Sequence, residues 1–181
     1  MIDPIVIAPY DAEWATQFQH HAGMIRHALG DLALRVDHIG STAVVGLAAK
    51  PVIDIQISVA DFEPFERIRQ PLEACGYRWR ADNPDLTKRY FRETPPMPRT
   101  HIHVRRLGSW SEQFALLFRD YLRTHPAACE QYAAEKYRLA QVYADQREAY
   151  TDSKIPIIWQ TILAASEWSQ IVGWQPSPSD G

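Results

Sequence analysis

The 181-residue chain lacks most of the features that would mark a secreted, membrane-spanning or nucleic-acid-coating protein. It has only two cysteines, Cys75 and Cys129, far apart and in no C-x-x-C pattern. That excludes a disulfide framework and a thiolate zinc cage, and it fits isolated reduced thiols in a cytoplasmic protein. No apolar run is long enough to span a bilayer, so no membrane partner is expected. The first residues, MIDPIVIAPY, carry neither a basic region nor a long apolar core and are not expected to be a signal peptide. A formal charge of −3 argues against a generally basic binder of extended nucleic acid. The only Gly-Ser-Thr stretch, at Gly40-Ser41-Thr42, has no lysine in the order that a P-loop needs.

The residues that are present suit one domain with a real core: 46% are apolar, an ordinary globular fraction. The charge is unevenly spread. Between Arg78 and Arg106 eight Lys/Arg face three acids, so this segment is basic and the remainder acidic. A local basic region in an acidic chain suits a small anionic ligand better than a long polyanion. The alternative is a solvated loop with scattered charge.

Hydrophobic spacing orders the chain as helix, strands, helix, strands, then helices. Trp14, Phe18, His21 and Ile25 recur at helical intervals after Asp11, a suitable N-cap, and that helix runs to about Gly30. A strand is expected over 34–39 and a clear one over 52–59, where Ile53, Ile55, Ile57 and Val59 alternate with Asp54, Gln56 and Ser58. A helix over 62–75 and strands over 77–80 and 88–92 follow, then a proline-rich loop and an alternating strand over 101–105. Ser109-Trp110-Ser111-Glu112 reads as a capping box, and Pro126 as the first turn of a helix reaching about Tyr150. Ser153 is expected to cap a last helix. The fold class expected is α+β: a mixed sheet covered largely on one side, with a C-terminal helical section. The domain is expected over 1–172, and the polar Pro/Ser-rich segment 173–181 as a disordered tail.

The two alternating strands carry the chemical inference. If they share a sheet, their apolar faces bury together and their polar faces combine Asp54, Gln56, His101, His103 and Arg105 on one open surface. His-x-His in a strand puts both rings on one side, roughly 7 Å apart. A carboxylate and two imidazoles on one surface suit a divalent metal; two polar residues on a solvated face is the other reading. Gly40-Ser41 reads either as a simple turn or, followed by a strand with an acid at its centre, as a phosphate site. Lys50, Arg89 and Arg92 are candidates for phosphate binding or ordinary surface charges. His38 reads as a hydrogen-bonded core histidine or a ligand contact. Arg119 and Asp120 read as a salt bridge within the fold or as partners of groups near the site.

The stretch HIGSTAVVGLAAKPVIDI, residues 38–55, resembles the signature of the GrpB family, small bacterial proteins assigned to the nucleotidyltransferase superfamily. The resemblance continues in HIHV at 101–104, LLFRDYLRTHP at 116–126, EQYAAEKYRLA at 130–140 and YTDSK at 150–154, covering all but about the last dozen residues. Related domains also occur fused to dephospho-CoA kinases, which implies a nucleotide-related context. The resemblance implies a mixed sheet with flanking helices, in which the Gly-Ser turn holds a triphosphate and acids on neighbouring strands hold two Mg²⁺ ions. By position Gly40 and Ser41 match the turn, with Thr42 beside them a further phosphate candidate, and Asp54 matches the first, catalytic acid. Tyr150 and Lys154 fall where C-terminal helices wall the nucleotide, making Lys154 a further phosphate candidate. The pattern departs at Gln56, where a second acid belongs, and at His101 and His103, where a third would stand. One carboxylate holds two Mg²⁺ ions poorly, whereas imidazole suits Zn²⁺ or Mn²⁺. Three outcomes stay open: nucleotidyl transfer with Mg²⁺, Mn²⁺ or Zn²⁺, a non-catalytic nucleotide-binding module, or a metal-dependent phosphohydrolase. The expected partner is a nucleotide or a phosphorylated small molecule.

Overall fold

A computed structural model describes residues 4–181. The first three positions of the expected domain lie outside the described residues. The first helix, α1 (Glu13–Leu29), follows Asp11, whose Oδ1 accepts from the Glu13 N–H at 2.9 Å. Its buried stripe is Trp14, Phe18, His21, Ala22, Ile25 and Leu29. His21 is a core residue, with Nδ1 2.7 Å from the Tyr77 hydroxyl. Then come β1 (Arg35–Ile39), β2 (Ile53–Val59), α2 (Glu66–Ala74), β3 (Tyr77–Trp79), β4 (Arg89–Glu93) and β5 (Thr100–Arg106). Four helices finish the chain: α3 (Trp110–Thr124), α4 (Pro126–Val142), α5 (Arg147–Ser153) and α6 (Ile155–Val172). No helix among the described residues is long and apolar enough to cross a membrane.

The five strands form one mixed sheet in the order β1-β2-β5-β4-β3. Only β2 and β5 run parallel; the other pairs are antiparallel. Ile53, Ile55, Ile57 and Val59 join Ile102, Val104 and Phe91 in one core beneath α1 and α2. Burying each such side chain contributes about 1.5–3 kcal/mol of transfer free energy, so the strand alternation fixes which face looks inward. A second cluster, with Val44, Leu47, Leu122 and Tyr132, ties the segment after β1 to α3 and α4.

The α+β class agrees with expectation; the exposed polar face does not. The register sets Asp54 beside His101, Gln56 beside His103 and Ser58 beside Arg105. The N-terminal end of α3 covers part of that row. Gln56 and Ser58 are fully buried, Ser58 Oγ donating to Glu112 Oε1 at 2.5 Å and Gln56 Nε2 to the Glu112 carbonyl at 3.3 Å. Of that row Gln56 and Ser58 are closed off, while Asp54, His101, His103 and Arg105 stay half-buried. Glu112 is drawn into this role from the capping box, in which Ser109 Oγ accepts from the Glu112 N–H at 3.4 Å.

Several boundaries moved. The second helix starts at Glu66, because Asp61 and Glu63 take up backbone N–H groups in the turn before it. The helix expected to reach Tyr150 stops at Val142, and Ser153 ends α5 without capping α6. Segment 177–181 also differs from the disorder expected of it. It lies along the outer edge of β1, where the N–H of Val36 donates to Ser179 Oγ at 2.8 Å and that of His38 to Asp180 Oδ2 at 3.0 Å. Edge strands leave such donors unpaired, and this segment satisfies them. The Arg119–Asp120 pair is internal, with Nε to Oδ1 at 2.7 Å, and Arg119 also holds Asp180 at 2.6 Å.

Candidate functional site

Asp54 stands at the open end of β2, with its carboxylate between two strands and a turn. His101 Nδ1 lies 3.1 Å and His103 Nε2 3.4 Å from Asp54 Oδ1. One donor atom from each of the three residues lies within 4.8 Å of the others. The period-two spacing of β5 and its parallel register with β2 produce this grouping.

The turn after β1 presses against the same carboxylate. Gly40 has φ 72°, and a β-carbon there would come within 2.6 Å of Asp54 Oδ2. Only glycine permits both the dihedral and the approach. Ser41 follows, and its Oγ accepts from Lys136 Nζ of α4 at 3.0 Å. Thr42 turns inward: its hydroxyl donates to the Val52 carbonyl at 3.1 Å and meets His38 Nε2 at 3.0 Å. His38 is a buried core histidine, stacked on Phe18 with ring centroids 4.7 Å apart.

Three lysines gather beyond Ser41. Lys50 and Lys154 lie over the Tyr150 ring at 5.1 and 4.7 Å, and Lys136 over Tyr132 at 4.7 Å. Among the described residues none of the three has a carboxylate within ion-pair distance. Burial, with their mutual repulsion, pulls Lys50 down to about 8 and Lys136 to about 7; burial lowers Lys154 as well. The three lysines thus share one region without a carboxylate beside them, and burial favours their neutral forms.

At Asp54 burial works to raise the carboxyl pKa, but hydrogen bonds and charge from His101 and His103 outweigh it and hold the group well below the usual range. Burial pulls His103 down to about 4 against the opposing pull of Asp54, which leaves a neutral ring at neutral pH. Its Nδ1 is buried with no hydrogen-bond partner. Asp54 is thus an ionised carboxylate beside a neutral His103 ring, and both are in a form that can ligate a divalent cation.

The basic candidates divide by strand parity. Arg92 pairs with His101 across β4–β5 and so shares the face of the site. Arg89 pairs with Val104 and lies on the other face, its guanidinium 4.3 Å above the Phe62 ring and 3.9 Å from Glu63. The structure therefore does not bring Arg89 to the site. Gln56, at the position of the missing second acid, is held by Arg105 Nη1 at 2.6 Å as well as by Glu112.

Sequence reasoning missed two residues here. Tyr90, paired with His103, places its ring 5.6 Å from that of His101 and 5.3 Å from that of His103. Its signal was the parity of β4, readable once β4 is set beside β5. Lys136 lies in the helical stretch EQYAAEKYRLA, and spacing alone does not aim it at Ser41.

Known proteins share the sequence pattern and the fold of this chain. The model of the GrpB protein family matches residues 4–163. A UPF0157 protein of Pseudomonas aeruginosa is 40% identical over 86% of this chain and 65% of its own length. A dephospho-CoA kinase of Mycolicibacterium paratuberculosis is 34% identical over 96% of this chain and 49% of its own. The chain thus spans about half to two thirds of the length of these curated relatives. The crystal structure of the conserved protein GrpB from Enterococcus faecalis superposes with a TM-score of 0.82 at 31% identity, over 90% of this chain and 99% of that one. The Cid1 poly(U) polymerase bound to MgGTP has a TM-score of 0.51 at 12% identity, over 75% of this chain and 44% of that one, a likeness of fold alone.

Proposed function

The chain belongs to the GrpB family, and from that premise we propose that it binds a nucleoside triphosphate, or a like phosphorylated ligand, with one divalent metal and transfers a nucleotidyl group. The observation that carries this reading is the contact of the Gly40-Ser41 turn with Asp54, which itself meets His101 and His103.

The metal belongs on Asp54, His101 and His103. Their separations of 3.1 and 3.4 Å are those of neighbouring ligands around one small cation, where metal–ligand bonds of roughly 2.0–2.2 Å set the spacing. Two imidazoles and one carboxylate suit Mn²⁺ or Zn²⁺ better than Mg²⁺. When bound, such an ion would polarise a phosphate oxygen and screen its charge. Ser41 and the backbone of the turn receive the phosphate chain, Lys136 fixes the Ser41 hydroxyl, and Lys50 and Lys154 supply the balancing charge. In the transfer an acceptor oxygen bonds the α-phosphorus, pyrophosphate leaves with the bonding electron pair, and the acceptor proton passes to solvent. No membrane or extended nucleic acid enters this reading, and its ligands are those of the cytoplasm.

Gln56 favours a second reading. Its side chain is fully buried and committed to Arg105 and Glu112, so it offers nothing to a second metal. A site with one metal suits a nucleotide-binding module without transfer, or a phosphohydrolase in which water attacks. Thermal unfolding with ATP, CTP, GTP or UTP and MnCl₂, ZnCl₂ or MgCl₂, followed by assay of released pyrophosphate and orthophosphate across a panel of hydroxyl and phosphate acceptors, separates these readings. Stabilisation with pyrophosphate release supports transfer. Stabilisation without release supports the binding module, orthophosphate release supports hydrolysis, and no stabilisation by any pair defeats nucleotide binding.

A further inference from the structure

Arg105 lies on the Asp54 face of the sheet, two residues beyond His103 on β5. Its partner across β2 is Ser58, while Gln56 is paired with His103. Arg105 Nη1 donates to Gln56 Oε1 at 2.6 Å, which draws the guanidinium back along the strand towards the level of His103. Gln56 is fully buried and donates to the Glu112 carbonyl, so the group that aims the guanidinium is itself fixed.

Arg105 differs from its neighbours in having no acid beside it. Of the four arginines on β4 and β5, Arg89, Arg92 and Arg106 each have a carboxylate within ion-pair distance: Glu63, Glu93 and Asp61. Among the described residues Arg105 has none. The acids whose charge reaches it from farther off, Asp85, Asp54 and Glu112, are engaged by Lys88, by His101 and His103, and by Ser58 and Gly108. The unused edge of its guanidinium is a fork. In Arg35, Arg80 and Arg138 the Nε and Nη2 groups together hold the two oxygens of a carboxylate, at 2.6–3.0 Å. In Arg105 the same Nε is buried without a hydrogen-bond partner, and Nη2 has none among the described residues.

A buried donor left unmade is costly, and a planar fork matches anions that present two oxygens. Arg105 is half-buried, so the residue is not sealed from solvent. Phosphate fits this place better than carboxylate does. With two oxygens on the fork, a carboxylate has none left for a metal on Asp54, His101 and His103, whereas a phosphate has oxygens to spare. We propose that Arg105 forks two oxygens of the phosphate that meets the Asp54–His101–His103 centre, and that Gln56 is the residue that positions it. This rests on the reading of that centre as a metal–phosphate site. Gln56, standing where a second acid was expected, then positions a fixed cation in place of a second metal ion.

The test titrates the protein with α,β-methylene-ATP and, separately, with inorganic orthophosphate, by calorimetry in MnCl₂. Arg105→Lys keeps the charge and loses the fork; Arg105→Gln loses both. Each is expected to weaken the analogue tenfold or more, while equilibrium dialysis still counts the Mn²⁺ of the native chain. In the native chain the Arg105 Nε–H resonance, assigned through its own side-chain carbons, is expected to shift downfield in NMR when either ligand binds. That measurement keeps the test open if a variant fails to fold. Variants that lose less than tenfold, or a native Nε–H resonance that does not move, overturn the proposal and leave the nucleotide reading standing. A loss of Mn²⁺ in step with the analogue also overturns it, because Arg105 would then support the metal residues and not the phosphate. If the analogue does not bind the native chain, the nucleotide reading fails and orthophosphate decides. Orthophosphate binding that Arg105→Gln abolishes upholds the fork, and no such binding overturns it.

Discussion

Gly40 packs against Asp54 so closely that a β-carbon at position 40 would meet Asp54 Oδ2 at 2.6 Å. The residue that shapes the turn and the residue that anchors the polar centre are one steric unit. Gly40→Ala must pay for a positive φ and also move the carboxylate. A loss of about 1–3 kcal/mol of stability is expected in urea unfolding, together with at least a tenfold loss of Mn²⁺ affinity. Gly46→Ala serves as control. It also has positive φ but meets no atom within 4 Å, so it should lose stability and keep metal affinity.

The lysine cluster makes stability depend on pH in a definite direction. The folded-state pKa of Lys136 is near 7, below its ordinary value of 10.5. Between those values the unfolded chain holds more protons, so the Lys136 contribution to stability rises with pH from about 7 to about 10. Lys136→Met should flatten this rise by on the order of 1–3 kcal/mol, seen in urea unfolding at pH 6.5 and 9.5. Equal slopes in the two proteins would contradict the buried, partly neutral lysine.

Bound phosphate should restore those lysines to their charged form. With Lys50 near 8 and Lys136 near 7, binding of a triphosphate at pH 8 is expected to take up protons, and affinity to fall as pH rises from 7 to 10. Calorimetry in buffers of different ionisation enthalpy reads the uptake, and Lys136→Met should reduce it. Binding that releases protons would place the phosphates elsewhere.

Gln56 is expected to resist conversion into the missing acid. Its amide donates to the Glu112 carbonyl, and its oxygen accepts from Arg105. Gln56→Glu keeps the second contact and sets a carboxylate oxygen against a carbonyl in place of the first. A loss of about 1–3 kcal/mol in thermal or urea unfolding is expected, with no second metal ion gained in equilibrium dialysis.

Much of this arrangement was legible before the fold was known. The alternation in 53–59 and 100–106 has a period of two, which fixes parity, so Asp54, His101 and His103 had to share a face if their strands paired. Parity alone puts Arg89 and Arg92 on opposite faces, but which of them faces the site depends on the register of β4 against β5, and an isolated strand does not supply that register. The burial of Gln56 could not be read at all, because it depends on where α3 crosses the sheet and on Glu112 reaching Ser58. Lys136 was hidden for the same reason, since its meeting with Ser41 joins residues 95 apart in sequence. Segment 173–181 reads as disordered by composition, yet its Ser179 and Asp180 side chains match unpaired N–H groups along the β1 edge.

The Asp54–His101–His103 centre is tested most directly by counting Mn²⁺ or Zn²⁺ bound per chain in equilibrium dialysis, for the native protein and for Asp54→Asn and His103→Ala. One ion per native chain is expected, with affinity reduced at least tenfold in each variant while circular dichroism shows them folded. Unchanged binding in both variants, or two ions per native chain, would contradict a single metal held by these three residues.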